Sequence, residues 1–428
     1  MNHFDLRPGP NGAPELHCEG VPLSAIADAV GTPAYVYSTA TLERHWRVYA
    51  EAFAAWPHPV LIAYAVKANG NLSVLATLAR LGAGADTVSE GEIRRALAAG
   101  VPPGRIVFSG VGKTAAELAF ALEAGVAEIN VESEPELDLL ARIADDKDVA
   151  ATVALRINPD VGAGGHAKIT TGQGASKFGV SISETERLYA RAAAHRALTP
   201  VGLACHIGSQ ITELGPLEAA FRQMRSLAER LRGQGLQVRR LDLGGGLGVP
   251  YFDQPAPPSP RDYADMVLRV MDGLDVELAF EPGRAIAANA GVLLARVIYV
   301  HARPEGRRFL VLDAGMNDLI RPAMYDAFHA IAPVRPPPPG APERLYDVVG
   351  PVCETGDTFT RDRRLPELKS GDLVAFLTAG AYGAVMSSTY NARLLVPEVL
   401  VKGDRWAVVR PRPTYDNMLA GEPRAPWL

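Results

Sequence analysis

The sequence predicts a (β/α)8 barrel followed by a C-terminal all-β domain, and three observations predict it. Between residues 58 and 285, short apolar runs alternate with longer Ala/Leu-rich stretches, about eight times over. The runs are nearly all apolar rather than alternating, the pattern of parallel strands covered on both faces by helices. After residue 285 the texture changes to short β-rich segments separated by turn residues.

In chain order the strand-like runs are VLIAYAVKAN, GAGADTVS, GRIVFSG, AEINVES, ATVALRINP, GLACHIGS, RRLDLGGG and VELAFEPG. Helical patterns such as NLSVLATLARLGA, EGEIRRALAAG, TAAELAFALEAG, SEPELDLLARIA and LEAAFRQMRSLAERLRGQG lie between them. An open doubly wound sheet is the alternative arrangement of the same elements. The later segments VLLARVIYVHA, RRFLVLDAG, YDVVGP, DLVAFLTAG, PEVLVKG and RWAVVRP read as strands of the second domain. The expected boundaries are an N-terminal segment over 1–40, whose AYVYS pairs with the β-domain, a barrel over 41–285 and the β-domain over 286–428. The Pro-rich stretches DQPAPPSP and RPPPPGAP read as surface loops.

A net charge of -5 leaves no basic excess for a nucleic-acid surface. No apolar run is long enough for a membrane span, and the polar N-terminus lacks the apolar core of a signal peptide. Cys18, Cys205 and Cys353 form neither a CxxC pair nor a disulfide framework, which suits the cytoplasm. Of the 43 basic residues only seven are Lys. Arg cannot form an imine, so each Lys raises the question of what only a primary amine can do, although codon bias gives the same imbalance.

Several strands end in chemically useful groups, where barrels place their active sites. Lys67 closes VLIAYAVKAN, where it must pair, react or snorkel to solvent. His206 follows Cys205; neighbours on a strand point to opposite faces, so the two do not form a nucleophilic pair, and a lone His has a structural reading. Asp242-Leu-Gly-Gly-Gly-Leu-Gly248 is a tight turn or an anion cradle, and Val249 breaks a dinucleotide fingerprint. Glu281-Pro282-Gly283-Arg284 places a carboxylate after an apolar run, to pair with Arg284 or to hold a proton on a heteroaromatic nitrogen. Arg321, Tyr325, Cys353, Glu354 and Tyr382 each have an ordinary surface or core reading when taken singly.

Together, YAVKAN (64–69), CHIGSQ (205–210), DLGGGLG (242–248), EPGR (281–284), DAGMN (313–317) with RPAMY (321–325), GPVCE (350–354) and GAYG (380–383) resemble the diaminopimelate decarboxylase family. That family belongs to the alanine-racemase-like class of pyridoxal-phosphate enzymes. The resemblance implies a barrel with a β-domain and conversion of meso-diaminopimelate to L-lysine and CO2, the last step of lysine biosynthesis. It implies that Lys67 carries the cofactor, that His206 stacks on its ring and that Glu281 pairs with the ring nitrogen. Gly246, the turn Glu281–Arg284 and Ser209 would hold the phosphate, with Gly244, Gly245, Asp86 and Arg156 further cofactor-side positions. Arg284, Arg321, Tyr325 and Glu354 would bind substrate, Tyr382 would lie between substrate and cofactor, and Cys353 would donate a proton. A homodimer with shared active sites is implied, Cys353 and Glu354 reaching across.

Two arginines favour a dicarboxylate, because a carboxylate leaving as neutral CO2 gains nothing from a cation that binds it best before departure. A related decarboxylase for ornithine, arginine or carboxynorspermidine is the nearer alternative; a non-catalytic regulatory homologue that binds the cofactor is the remoter one. Lys168 and Lys177 are rival imine formers in a Gly-rich loop over 162–179 that reads as a lid, and their polar setting counts against them.

Overall fold

The computed structural model describes residues 2–9, 12–162, 177–251 and 256–428. The chain divides into two compact units, one built on Glu43–Pro250 and continuing to Ile286, the other on the N-terminal residues to Leu42, Tyr251 and Ala287–Leu428.

The first unit is a closed parallel barrel rather than an open sheet. Its strands are β1 (Val60–Ala65), β2 (Gly84–Thr87), β3 (Ile106–Phe108), β4 (Glu128–Val131), β5 (Ala151–Asn158), β6 (Leu198–Cys205), β7 (Arg240–Asp242) and β8 (Glu277–Phe280). Each pairs in parallel with the next, and β8 returns to β1 with Phe280 opposite Ile62. Ala63, Val107, Val153, Leu203, Leu241 and Leu278 are fully buried, which is why these strands read as continuous apolar runs.

The strand ends lead into helices whose first turns are capped. Ser89, Thr114, Ser133 and Ser259 each accept a hydrogen bond from the backbone N–H three residues on. At Thr114 the box is reciprocal, Glu117 Oε2 accepting from the Thr114 N–H at 3.0 Å. Thr114→Ala should therefore lower stability by about 1 kcal/mol, read as a lower urea midpoint with an unchanged slope.

The second unit is a mixed sheet. In spatial order its strands are Thr358–Pro366, Glu343–Val349, Arg308–Leu312, Gly291–Ala302, Ala34–Ser38, Glu398–Lys402 and Arg405–Arg410. The N-terminal AYVYS is a central strand, antiparallel to Gly291–Leu294 and parallel to Glu398–Val401. Leu373–Phe376 also pairs with Gly291–Ala302 and with Ile331–Pro333. Short helices, Leu23–Val30, Arg321–Tyr325 and Tyr415–Ala420, interrupt the β-structure expected here. Among the strands that escaped the sequence pattern are the long Thr358–Pro366 and the antiparallel pair Phe4–Pro8 with Pro14–Cys18.

Candidate active site

The barrel's chemical residues gather where its strands end. Lys67 sits in the 3-10 turn Val66–Ala68, just beyond β1 rather than on the strand itself. Its Nζ contacts the carboxylate of Asp86, which β2 holds fully buried. The Asp86 Oδ1 atom has no hydrogen-bond partner among the described residues. Lys113 shows what a structural lysine looks like here. Its Nζ is saturated at 2.7 Å by the Gly110 and Asn130 carbonyls and by Glu136. Lys67 keeps 34% of its side chain exposed, against 1% for Lys113. Lys177 is exposed beside the Phe178 ring, while Lys168 and the rest of 163–176, most of the expected lid, lie outside the described residues.

Three carboxylates are buried in this region, Asp86, Asp242 and Glu281. Burial and then Asp242 and Asp86 drive the Glu281 carboxyl well above its ordinary range, against Lys67 and Arg156. Asp242 is also raised by burial, although Gly244 N–H donates to it at 2.8 Å and it hydrogen-bonds Glu281. Two carboxyls buried near one another each disfavour the other's charge, so this pair is short of positive charge. Ser109 Oγ approaches Glu281 Oε1 at 3.5 Å and accepts from Asn130 at 3.0 Å.

His206 is neutral. Burial, Arg156 and Lys67 together push its pKa well below the usual value, and its Nδ1 accepts from Gly245 N–H at 3.2 Å, which leaves the proton on Nε2. Cys205 is buried and held as a thiol by that burial. Arg156 pairs with Glu132 at 2.8 Å and lies over the Phe178 ring. Arg284 turns to Ser209, donating to its Oγ from Nη2 at 3.0 Å.

The glycine turn is crowded. A Cβ on Gly244 would come within 2.2 Å of the Cys205 carbonyl, and one on Gly246 within 2.5 Å of the Gly208 carbonyl; both glycines have positive φ. Two of the three amides of Gly244–Gly246 are already engaged, by Asp242 and His206. The Gly244 and Gly245 amides therefore brace the site from within.

The second unit carries its own cluster. Arg321 opens the helix Arg321–Tyr325 and is only 6% exposed. Its guanidinium lies 4.9 Å from the Tyr251 ring centroid and donates to His329 Nε2 at 2.8 Å. Tyr325 is half-buried at the end of the same short helix. Cys353 and Glu354 are exposed, Cys353 N–H donates to Asn391 at 2.9 Å and Glu354 hydrogen-bonds Tyr390, which raises the phenol's pKa. Tyr382 is half-buried with a left-handed backbone, φ 56°. Sequence reasoning did not single out His329, Glu132, Tyr390 or Asn391; a His in an otherwise apolar FHAIA run was the one available signal.

An amine beside buried carboxylates at the end of a parallel barrel suits pyridoxal chemistry, and residues 39–288 match the pyridoxal-binding domain of the pyridoxal-dependent decarboxylases. The diaminopimelate decarboxylase of Pseudomonas aeruginosa is 52% identical over 412 residues, which cover 96% of this chain and 98% of that one. The diaminopimelate decarboxylase from Helicobacter pylori complexed with L-lysine superposes with a TM-score of 0.89 at 40% identity, covering 93% of this chain and 98% of that one. The M. jannaschii enzyme in co-complex with L-lysine gives a TM-score of 0.93 at 35% identity, with both chains covered in full (100%). The chain belongs to the diaminopimelate decarboxylase family.

The cofactor is therefore pyridoxal phosphate, and the residues fit it. Lys67 is a primary amine at the strand ends, and the raised carboxyls of Asp242 and Glu281 make the surroundings favourable to a cationic group. At Gly246 the left-handed backbone and the Gly208 carbonyl exclude a side chain, so only a bare backbone is presented at this turn.

Proposed function

We propose that this chain decarboxylates meso-2,6-diaminopimelate to L-lysine, with Lys67 as the attachment point of its cofactor. The observation that carries the reading is the placing of one scarce primary amine against buried Asp86, within the field of Glu281. Pyridoxal phosphate supplies, when bound, an electron-poor ring that takes up the electron pair of the breaking carbon–carbon bond. Glu281 holds a proton on the ring nitrogen, a role supported by its burial beside Asp242, where a positive charge is favourable. His206, neutral and fixed by Gly245, offers a flat face against which a ring can lie. Ser209, Gly246 and the turn Glu281–Arg284 take the phosphate.

Arg321 and Arg284 bind the carboxylate that remains in the product, with Tyr325 beside them and Glu354 on the distal ammonium. Cys353 delivers a proton to the carbon that has lost CO2. Tyr382 lies between substrate and cofactor. The same reading makes the enzyme a cytoplasmic homodimer with shared active sites. Cys353 and Glu354, both exposed in the single chain, are then supplied by the partner subunit. All three cysteines are free thiols, and no helix among the described residues is long and apolar enough to cross a membrane.

The test is product analysis after incubation with added cofactor and, in parallel, meso-diaminopimelate, ornithine, arginine and carboxynorspermidine. L-lysine from the first and negligible turnover of the others is expected. Preferred turnover of a substrate lacking a second carboxylate would overturn the assignment of the two arginines, and no turnover at all would favour a regulatory homologue.

A further inference from the structure

We propose that His329 is a positioning residue for substrate recognition, holding the Arg321 guanidinium in the orientation that receives the retained carboxylate. The inference rests on the functional reading above and deepens it.

A guanidinium has five N–H donors and no acceptor, so an arginine that grips a carboxylate with one edge needs the rest of the group fixed. Arg321 stands at the start of a helix of only five residues, followed by Asp326 in the left-handed region at φ 50°. So short an element cannot hold a long, flexible side chain by itself. The anchoring comes from elsewhere. One edge of the guanidinium donates to His329 Nε2 at 2.8 Å, and its face lies over Tyr251. The Tyr251 ring also meets the imidazole edge to face, with centroids 5.6 Å apart. Arg321, Tyr251 and His329 are all buried.

His329 can act as an acceptor only if Nε2 carries no proton, and the structure fixes that tautomer. Its Nδ1 lies 3.0 Å from the Leu377 carbonyl, which can only accept, so the proton sits on Nδ1. Leu377 returns the contact, its N–H donating to the Ala330 carbonyl at 2.8 Å. The neighbouring strand Ile331–Pro333 pairs in register with Leu373–Phe376. The imidazole is therefore tied to the sheet at its ring nitrogen, and the next residue, Ala330, is tied there through its backbone. It transmits that rigidity to the arginine.

The test uses the full-length, cofactor-loaded enzyme and two ligands that differ in one group. L-Lysine carries the retained carboxylate and cadaverine lacks it. His329→Leu removes the acceptor and should raise KM for meso-diaminopimelate and Ki for L-lysine about tenfold or more, because a hydrogen bond to a charged group is lost. Its kcat should change by less than about threefold, and Ki for cadaverine should stay constant. His329→Gln places an amide oxygen near the Nε2 position and should restore both constants to within about threefold of wild type. Should the leucine variant not fold, His329→Asn replaces it, since its shorter amide can still meet Leu377 but does not reach Arg321. An unchanged KM, equal weakening of lysine and cadaverine, or a glutamine variant no better than leucine would overturn the assignment. Absence of wild-type turnover would overturn the functional reading and this assignment together, whereas turnover with an indifferent His329 would overturn this assignment alone.

Discussion

Lys67→Ala is expected to abolish both the visible absorbance of the bound cofactor and all measurable decarboxylation. An arginine in the same place could pair with Asp86 as well, but only a primary amine can join covalently to an aldehyde. The electrostatics around Lys67 fit a reactive rather than a merely neutralising group. Asp86 is fully buried and leaves one oxygen unpartnered among the described residues, while the Lys67 side chain keeps 34% of its surface exposed, so the amine is held where an aldehyde can reach it. At Lys113, by contrast, three acceptors consume all three ammonium hydrogens. Lys113→Ala should therefore leave the absorbance in place and cost stability instead. Loss of the band in the Lys113 variant with retention in the Lys67 variant would reverse the assignment.

Glu281→Gln is expected to lower kcat by about a hundredfold or more while leaving the cofactor-free protein at least as stable as wild type. The amide fills the same space but cannot keep a proton on the ring nitrogen, and removing one preorganised charge from such a site typically costs that much. The stability half follows from the sign of the pKa shift. Burial and the nearby Asp242 and Asp86 raise the Glu281 carboxyl well above its value in an unfolded chain. A carboxyl so raised favours the fold in acid and weakens it as pH climbs through the folded-state value. Replacing it with a neutral amide removes that penalty, so apo Glu281→Gln should melt no lower than apo wild type at pH 8. A drop in melting temperature together with intact kcat would show that Glu281 is structural, a role its position after an apolar strand equally allows.

The barrel was legible because its strands are covered on both faces, which makes them unbroken apolar runs, and because each run ends in a polar group. The ends of β1, β6, β7 and β8 pointed to Lys67, His206, the glycine turn and Glu281 for the same reason. Spacing could not show what these groups touch. Ser109 and Glu281 are 172 residues apart, and no local pattern links them. The reading of Glu281 as a partner for Arg284 gave way to a carboxyl pair with Asp242, since Arg284 reaches Ser209. The strand Thr358–Pro366 was hidden by its charged, partly exposed TFTRDRR stretch, as edge strands often are. His329 was hidden differently, because its importance lies in Arg321 and Leu377 rather than in its own neighbours along the chain.

The most direct test of the central claim is to reduce the cofactor-loaded enzyme with borohydride, digest it and locate the pyridoxyl group by mass spectrometry. Modification of Lys67, with the other six lysines unmodified, is the predicted result. A pyridoxyl group on Lys113 or Lys177, with Lys67 unmodified, would contradict it.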